Sequence, residues 1–221
     1  MLGAVPPSYT DVSKTALLVY DMQRGIAKQI ADSDRVIAGC KAAIAAARSA
    51  GMRIAYSKHM SLSRAWLGTT QLRSAMAWQR VQKPDEVKSW FLRGSEASEI
   101  VPELAPAGDD LVVEKLAMSA LSGTPLEFAL HDCGIVNLVI VGIALEIGVE
   151  PTVRSATDLG FVPVVLTDAC GWGHPEAGQR ALETMKFIGE ALLTDVETFA
   201  ARLAAAQKTQ ELLGVRAELS I

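Results

Sequence analysis

Aromatic residues make up only 5% of this 221-residue chain, histidine and cysteine occur three times each, and no apolar run is long. Each scarcity excludes something. Cys40, Cys133 and Cys170 are widely separated and form no C-x-x-C pair, so the sequence offers neither a disulfide framework nor a thiolate metal knot. With no secretory leader legible, a reducing cytoplasm is the expected compartment. Apolar stretches such as LVIVGIAL fall far short of the roughly 20 residues that a bilayer span needs, so no membrane partner is expected. Charge of one sign is also missing. Lys and Arg total 21 against 25 for Asp and Glu, a formal net charge of -4, which leaves no electrostatic footprint for nucleic acid. No internal repeat or low-complexity tract interrupts the chain.

What remains is a regular alternation. Residues 1–13, with Pro6 and Pro7, read as an arm. TALLVYDM (15–22) reads as a strand, DRVIAGCKAAIAAARSAG (34–51) as an apolar-faced helix closed by glycine, and MRIAYSKH (52–59) as a second strand. DLVVEKL (110–116) is a third strand and PLEFALHDCG (125–134) a short helix. NLVIVGIA (137–144) is a fourth strand, followed by a helix expected from Gly148 to Gly160. FVPVVLTDAC (161–170) is a fifth strand, with a helix over 175–190. A short strand near ALLT and a last helix over 195–206 complete the series. Parallel strands need long crossovers, so the pattern predicts a three-layer α/β/α Rossmann-like sandwich around a mainly parallel sheet of about six strands. One domain over 14–221 is expected. Residues 60–109 form an insertion or lid that carries Trp66, Trp78, Trp90 and several arginines on weak periodicity.

In such sheets the ligand crevice lies beyond the carboxyl ends of the strands. Asp21, His59, Lys115 and the segment Ala144–Gly148 all fall there. Asp21 alone could be a turn or cap residue, and Lys115 alone is a costly buried ammonium. Together they compensate one another, either as a working pair or as a structural ion pair. Ser119 and Thr124 could bind a ligand or begin a helix, with helix initiation the better role for Thr124. His59 is either a pocket residue or a packed one. Trp66, Trp78 and Trp90 could wall a pocket or form a subunit contact. Arg64, Arg73 and Arg93 could clamp a carboxylate, although surface pairing is the default for arginine.

Four blocks in order, LLVYDMQ, EKLAMSALSGTPLEFAL, VIVGIALEIGVEPTVRSATDLGF and VVLTDACG, resemble the isochorismatase-like hydrolases, also called cysteine hydrolases. The resemblance covers about residues 15–200 and is weakest across 60–109. It implies that Asp21 is a catalytic acid or base with Lys115 as its partner, and that the Ile143–Ala144 peptide is cis. It also implies that two backbone N–H groups receive an oxyanion. The cysteine of the amide-cleaving members falls on Gly148, so a thiol route is closed. Cys133 lies at the opposite end of the sheet, and Cys170 is a weak replacement at the pocket rim. The vinyl-ether-cleaving members also lack the thiol. By that likeness Asp21 is a general acid, and Gly148 offers a bare N–H at a helix start. Glu146 stands where those members carry histidine, as a second acid or base or as a helix cap. Ala144, Glu146, Ile147, His59, Ser119 and Trp90 are the expected binding residues. One histidine in the region of His59 does not make a zinc site, so no metal and no cofactor is expected. The implied reading is a small-molecule hydrolase, assembled as a homodimer or homotetramer. A ligand-binding protein that has lost its chemistry and an amidohydrolase that activates water with a carboxylate are the alternatives.

Overall fold

The computed structural model describes residues 8–218, so the first seven residues of the expected arm lie outside it. In chain order the elements are β1 (Thr15–Tyr20), a short helix α1 (Arg24–Ala27), α2 (Ser33–Ser49), β2 (Arg53–His59), α3 (Thr69–Gln79), β3 (Leu111–Lys115), α4 (Leu126–Asp132), β4 (Asn137–Ile143), α5 (Glu150–Asp158), β5 (Val162–Gly171), α6 (Pro175–Ile188), β6 (Leu192–Thr194) and α7 (Val196–Glu218). The six strands form one parallel sheet in the order β3-β2-β1-β4-β5-β6.

The two central strands are buried along their whole length, which is why they read as continuous apolar runs rather than as alternating ones. Successive side chains still go to opposite faces. Leu17, Val19, Val139 and Val141 enter one core cluster with Val36, Cys40, Ala43 and Ala47 of α2 and Phe199 and Leu203 of α7. Ala16, Leu18, Tyr20, Leu138 and Ile140 enter the other, with Leu126 and Leu130 of α4, Val153 and Ala156 of α5 and Met185 of α6. The α2 residues recur at helical spacing, so one stripe of the helix supplies the whole contact.

Strand order reverses between β1 and β4, and this topological switch point is where a parallel sheet leaves a crevice at its carboxyl edge. The two strands approach closely because β4 carries Gly142 opposite Tyr20. Gly142 has φ +127, and a Cβ there would lie 2.0 Å from the Tyr20 carbonyl oxygen. Only glycine fits.

Three element boundaries differ from the sequence reading. The helix expected to open at Gly148 begins instead with a single π turn over Leu145–Val149, and α5 follows it. The wide turn arises because the N–H groups of Ile147, Gly148 and Val149 all donate to the carbonyl of Ala144, at 3.3, 3.0 and 3.1 Å. The last helix runs to Glu218 rather than stopping near 206. The insertion holds a real helix, α3, which buries no residue fully and so gave little periodic signal.

Candidate active site

β1 ends at Tyr20, and the chain turns sharply at Asp21, a non-glycine residue with φ +46. The turn brings the Asp21 carboxylate back over the sheet edge. Its Oδ1 accepts from the Ser57 hydroxyl at 2.6 Å, and its Oδ2 lies 2.7 Å from Lys115 Nζ. The two side chains of the pair are 5% and 1% exposed, so the ion pair is held away from bulk water. Lys115 Nζ also donates to the Ala117 carbonyl at 3.2 Å and stands 4.5 Å from the centre of the Tyr20 ring. This satisfies the ammonium from several sides. Ser57 reaches the site because β2 pairs with β1 in register, Ser57 beside Tyr20, while His59 pairs with Lys115 of β3.

Gln23 ties this floor together. Its side-chain amide accepts from the His59 N–H at 2.7 Å and donates to the His59 carbonyl at 3.0 Å and to the Ser98 carbonyl at 2.9 Å. One fully buried side chain thus joins the loop after β1, the end of β2 and the far end of the insertion.

Above the ion pair opens a pocket of about 300 Å³. Tyr20, Asp21 and Lys115 form its floor. His59, Trp78, Trp90 and Phe91 supply aromatic surface, Ile143, Ala144, Glu146 and Ile147 come from the switch-point turn, and Arg80 and His174 are among the remaining lining residues. His59 stands edge-on to Trp78 and to Phe91, at 5.8 and 5.7 Å between ring centres. Burial pushes its pKa down to about 4, with the charge of Asp21 opposing and that of Lys115 assisting. At neutral pH His59 is therefore an uncharged wall residue.

The expected residues are not all brought together. Asp21, Lys115, His59, Trp90, Ala144, Glu146 and Ile147 meet in the pocket, and the Ile143–Ala144 peptide is cis. Ser119 does not line it; its Oγ accepts from the Leu121 N–H in a local turn. Thr124 begins α4 by accepting from the Leu126 N–H. Trp66 is 76% exposed and away from the pocket, whereas Trp78 lines it. Arg64 pairs with Asp85 and Arg93 with Glu114, so neither is a clamp, and Arg73 does not line the pocket. Cys170 does not reach the rim. It is fully buried with Sγ toward the Ile140 carbonyl, and burial pushes its pKa up to about 12.

Two expectations about the turn need correction. Gly148 offers no bare N–H, since that group is spent on the Ala144 carbonyl. Glu146 does not cap the helix behind its own turn; it reaches across to the loop that leads into α6. Its Oε1 accepts from the N–H groups of Gly173 and His174 at 2.8 and 2.9 Å, just before α6 begins. The other oxygen, Oε2, is buried without a hydrogen-bond partner.

Sequence reasoning missed Tyr20, Ser57, Gln23 and Arg80. Tyr20 matters most. A Cβ built on Gly148 would lie 1.8 Å from Tyr20 Oη and 2.3 Å from Cζ. The phenol therefore occupies the space into which any side chain at 148 would project. Its hydroxyl donates to the Met118 carbonyl at 2.5 Å. Burial, then the negative charge of Asp21, raises its pKa well above the ordinary value, so it stays protonated. The available signal was the pairing of a bulky residue before Asp21 with glycine at 148, two positions that the sequence leaves far apart.

Among the described residues no group of three or more His, Cys, Asp or Glu side chains could share a metal ion. Asp21, whose charge acts on His59, is already paired with Lys115. The donors present do not fit a metal.

Residues 15–198 match the family model described as the isochorismatase domain. Among solved structures, a cysteine hydrolase from Pseudomonas syringae pv. phaseolicola 1448A is similar at 20% identity and a TM-score of 0.76, covering 93% of this chain and 100% of that one. A zinc complex of the pyrazinamidase of Pyrococcus horikoshii is similar at 24% identity and a TM-score of 0.69, covering 82% and 99%. The N-carbamoylsarcosine amidase from Thermoplasma acidophilum is similar at 21% identity and a TM-score of 0.66, covering 83% and 96%.

Proposed function

The chain belongs to the isochorismatase family, matched over residues 15–198, and from that premise we propose that it is a small-molecule hydrolase working without a cysteine nucleophile. Asp21 is its general acid and base, and Lys115 is the charge partner. The observation that carries this reading is the buried contact of 2.7 Å between Lys115 Nζ and Asp21 Oδ2 at the floor of a pocket. A pocket that only bound ligands would gain little from a desolvated ion pair, which costs free energy to bury. Proton transfer at the reacting bond uses one: Asp21 first takes up a proton as substrate binds, gives it to a vinyl ether or to the leaving atom of a related C–O or C–N bond, and recovers one from the water that adds. Lys115 then stabilises the carboxylate left behind. Water completes the cleavage, and no covalent enzyme intermediate is needed. The aromatic walls suit a small planar substrate, and Arg80 suits one with an anionic group.

A screen of small enol ethers, esters and amides tests the reading. Asp21→Asn is expected to lower turnover by about 10²–10⁴, while Cys170→Ser leaves it unchanged. A ligand that raises the melting temperature without ever being turned over would make the chain a binding protein instead.

A second reading rests on Glu146. With Oε1 fixed and Oε2 unpartnered, it could activate water on a C–N bond. Under that reading Glu146→Gln removes activity and Asp21→Asn does not.

A further inference from the structure

Tyr20 lines the pocket floor, yet the proposed chemistry leaves it without a role. It cannot be incidental packing at a free edge, because it is 2% exposed and its oxygen stands inside the volume of a side chain at 148. Three contacts fix it there. The hydroxyl is bonded to the Met118 carbonyl, Lys115 Nζ lies against the ring face, and the ring belongs to the core cluster that holds Leu145 and Val149 of the same turn. A clash with the tip of a flexible side chain is relieved by moving it. Here the tip, Cζ and Cε1 all fall within 2.5 Å of the added carbon, so a shift of the hydroxyl alone does not relieve the clash and the whole ring must give up its three contacts. Overpacking of this kind forces either the ring or the turn off its site.

We infer that Tyr20 sets the chemical class of this site: it excludes any nucleophilic side chain at 148 and presents a neutral phenol oxygen there instead. The phenol proton is committed to Met118, so the face offered to a ligand is an acceptor. The inference rests on Asp21 and Lys115 being the working pair, and predicts that those two would serve a thiol if the phenol were removed.

The test uses the full-length chain in four forms: Gly148→Cys, Tyr20→Val/Gly148→Cys, Tyr20→Leu/Gly148→Cys, and the better folded of the two double variants with Asp21→Asn added. The probes are iodoacetamide, with mapping of the alkylated cysteine, and p-nitrophenyl acetate. With the ester, the sulfur of residue 148 forms a C–S bond to the acetyl carbon and the ester C–O bond breaks. p-Nitrophenolate leaves with the bonding pair, and the thiol proton passes to Asp21. Gly148→Cys alone is expected to lose at least about 5 °C of melting temperature and to show no burst. At least one double variant is expected to melt above it. That variant alkylates at 148 about tenfold faster than at exposed Cys133 and releases p-nitrophenolate in a single stoichiometric burst.

A Gly148→Cys protein with the parent melting temperature and a full burst would overturn the inference, as would failure of both double variants to improve on it. A burst that survives Asp21→Asn, or a reactive thiol that gives no burst, leaves the exclusion by Tyr20 standing and removes the working pair instead.

Discussion

Asp21 and Lys115 hold one another in place by charge, so neither can be changed alone without cost. Truncating one member of a buried pair leaves the other uncompensated, typically at about 3–5 kcal/mol. Urea unfolding of Lys115→Met should show a loss of that order, with part of it recovered in Asp21→Asn/Lys115→Met because no charge then remains buried. His59 makes a separate, pH-dependent contribution. Its pKa is about 4 in the folded chain against about 6.5 when unfolded. Above pH ~6.5 both states are neutral and stability is unaffected. As pH falls from about 6.5 toward 4, only the unfolded state takes up a proton, so stability is lost progressively across that window, by at most about 3 kcal/mol. His59→Gln should flatten that part of the stability profile. Among the cysteines only Cys133 is exposed, so the native parent protein should take up one equivalent of iodoacetamide, at Cys133.

At the scale of elements, the pocket is assembled from segments far apart in sequence, among them the turn after β1, the π turn after β4 and the insertion. The π turn is coupled to the start of α6 through Glu146, whose carboxylate accepts from the two amides just before that helix. Replacing Glu146 with Ala should cost about 1–3 kcal/mol, the usual range for hydrogen bonds to a charged group. Gln keeps the acceptor oxygen and should keep most of that stability. The insertion contributes Trp78 from α3, which walls the pocket without bonding to the ion pair. Trp78→Ala is expected to raise KM roughly tenfold for a planar substrate with kcat nearly unchanged, the signature of lost uniform binding. Because α3 buries nothing fully, its amides should also exchange with solvent well before those of β1 and β4.

The whole molecule explains why some of this was legible in the sequence and some was not. The sheet was, because β1 and β4 are buried on both faces and their apolar runs are unbroken. Asp21 and Lys115 were legible as charges at the ends of such runs. The supports of the site were not, because they depend on lateral neighbours. Ser57 acts through its register with Tyr20, Gln23 through backbone groups some 36 and 75 positions away, and Tyr20 through a glycine more than a hundred residues on. The π turn was invisible for a related reason: its width comes from three amides sharing one carbonyl, which leaves no mark on residue spacing. Glu146 was half legible, as a carboxylate that binds backbone amides whose place in the fold the sequence could not assign.

The contact between Tyr20 and Gly148 also bears on how such a site can change over generations. Two of the four glycine codons become cysteine by a single base substitution, so from either of them mutation alone would put a thiol here. With the phenol in place that step meets an occupied volume, and the variant would be lost through instability before any new chemistry could be selected. A lineage starting from this chain would have to shrink residue 20 first, with nothing gained until the second change arrives. Tyr20 is thus a ratchet, making the path to a cysteine enzyme a two-step crossing with a trough between.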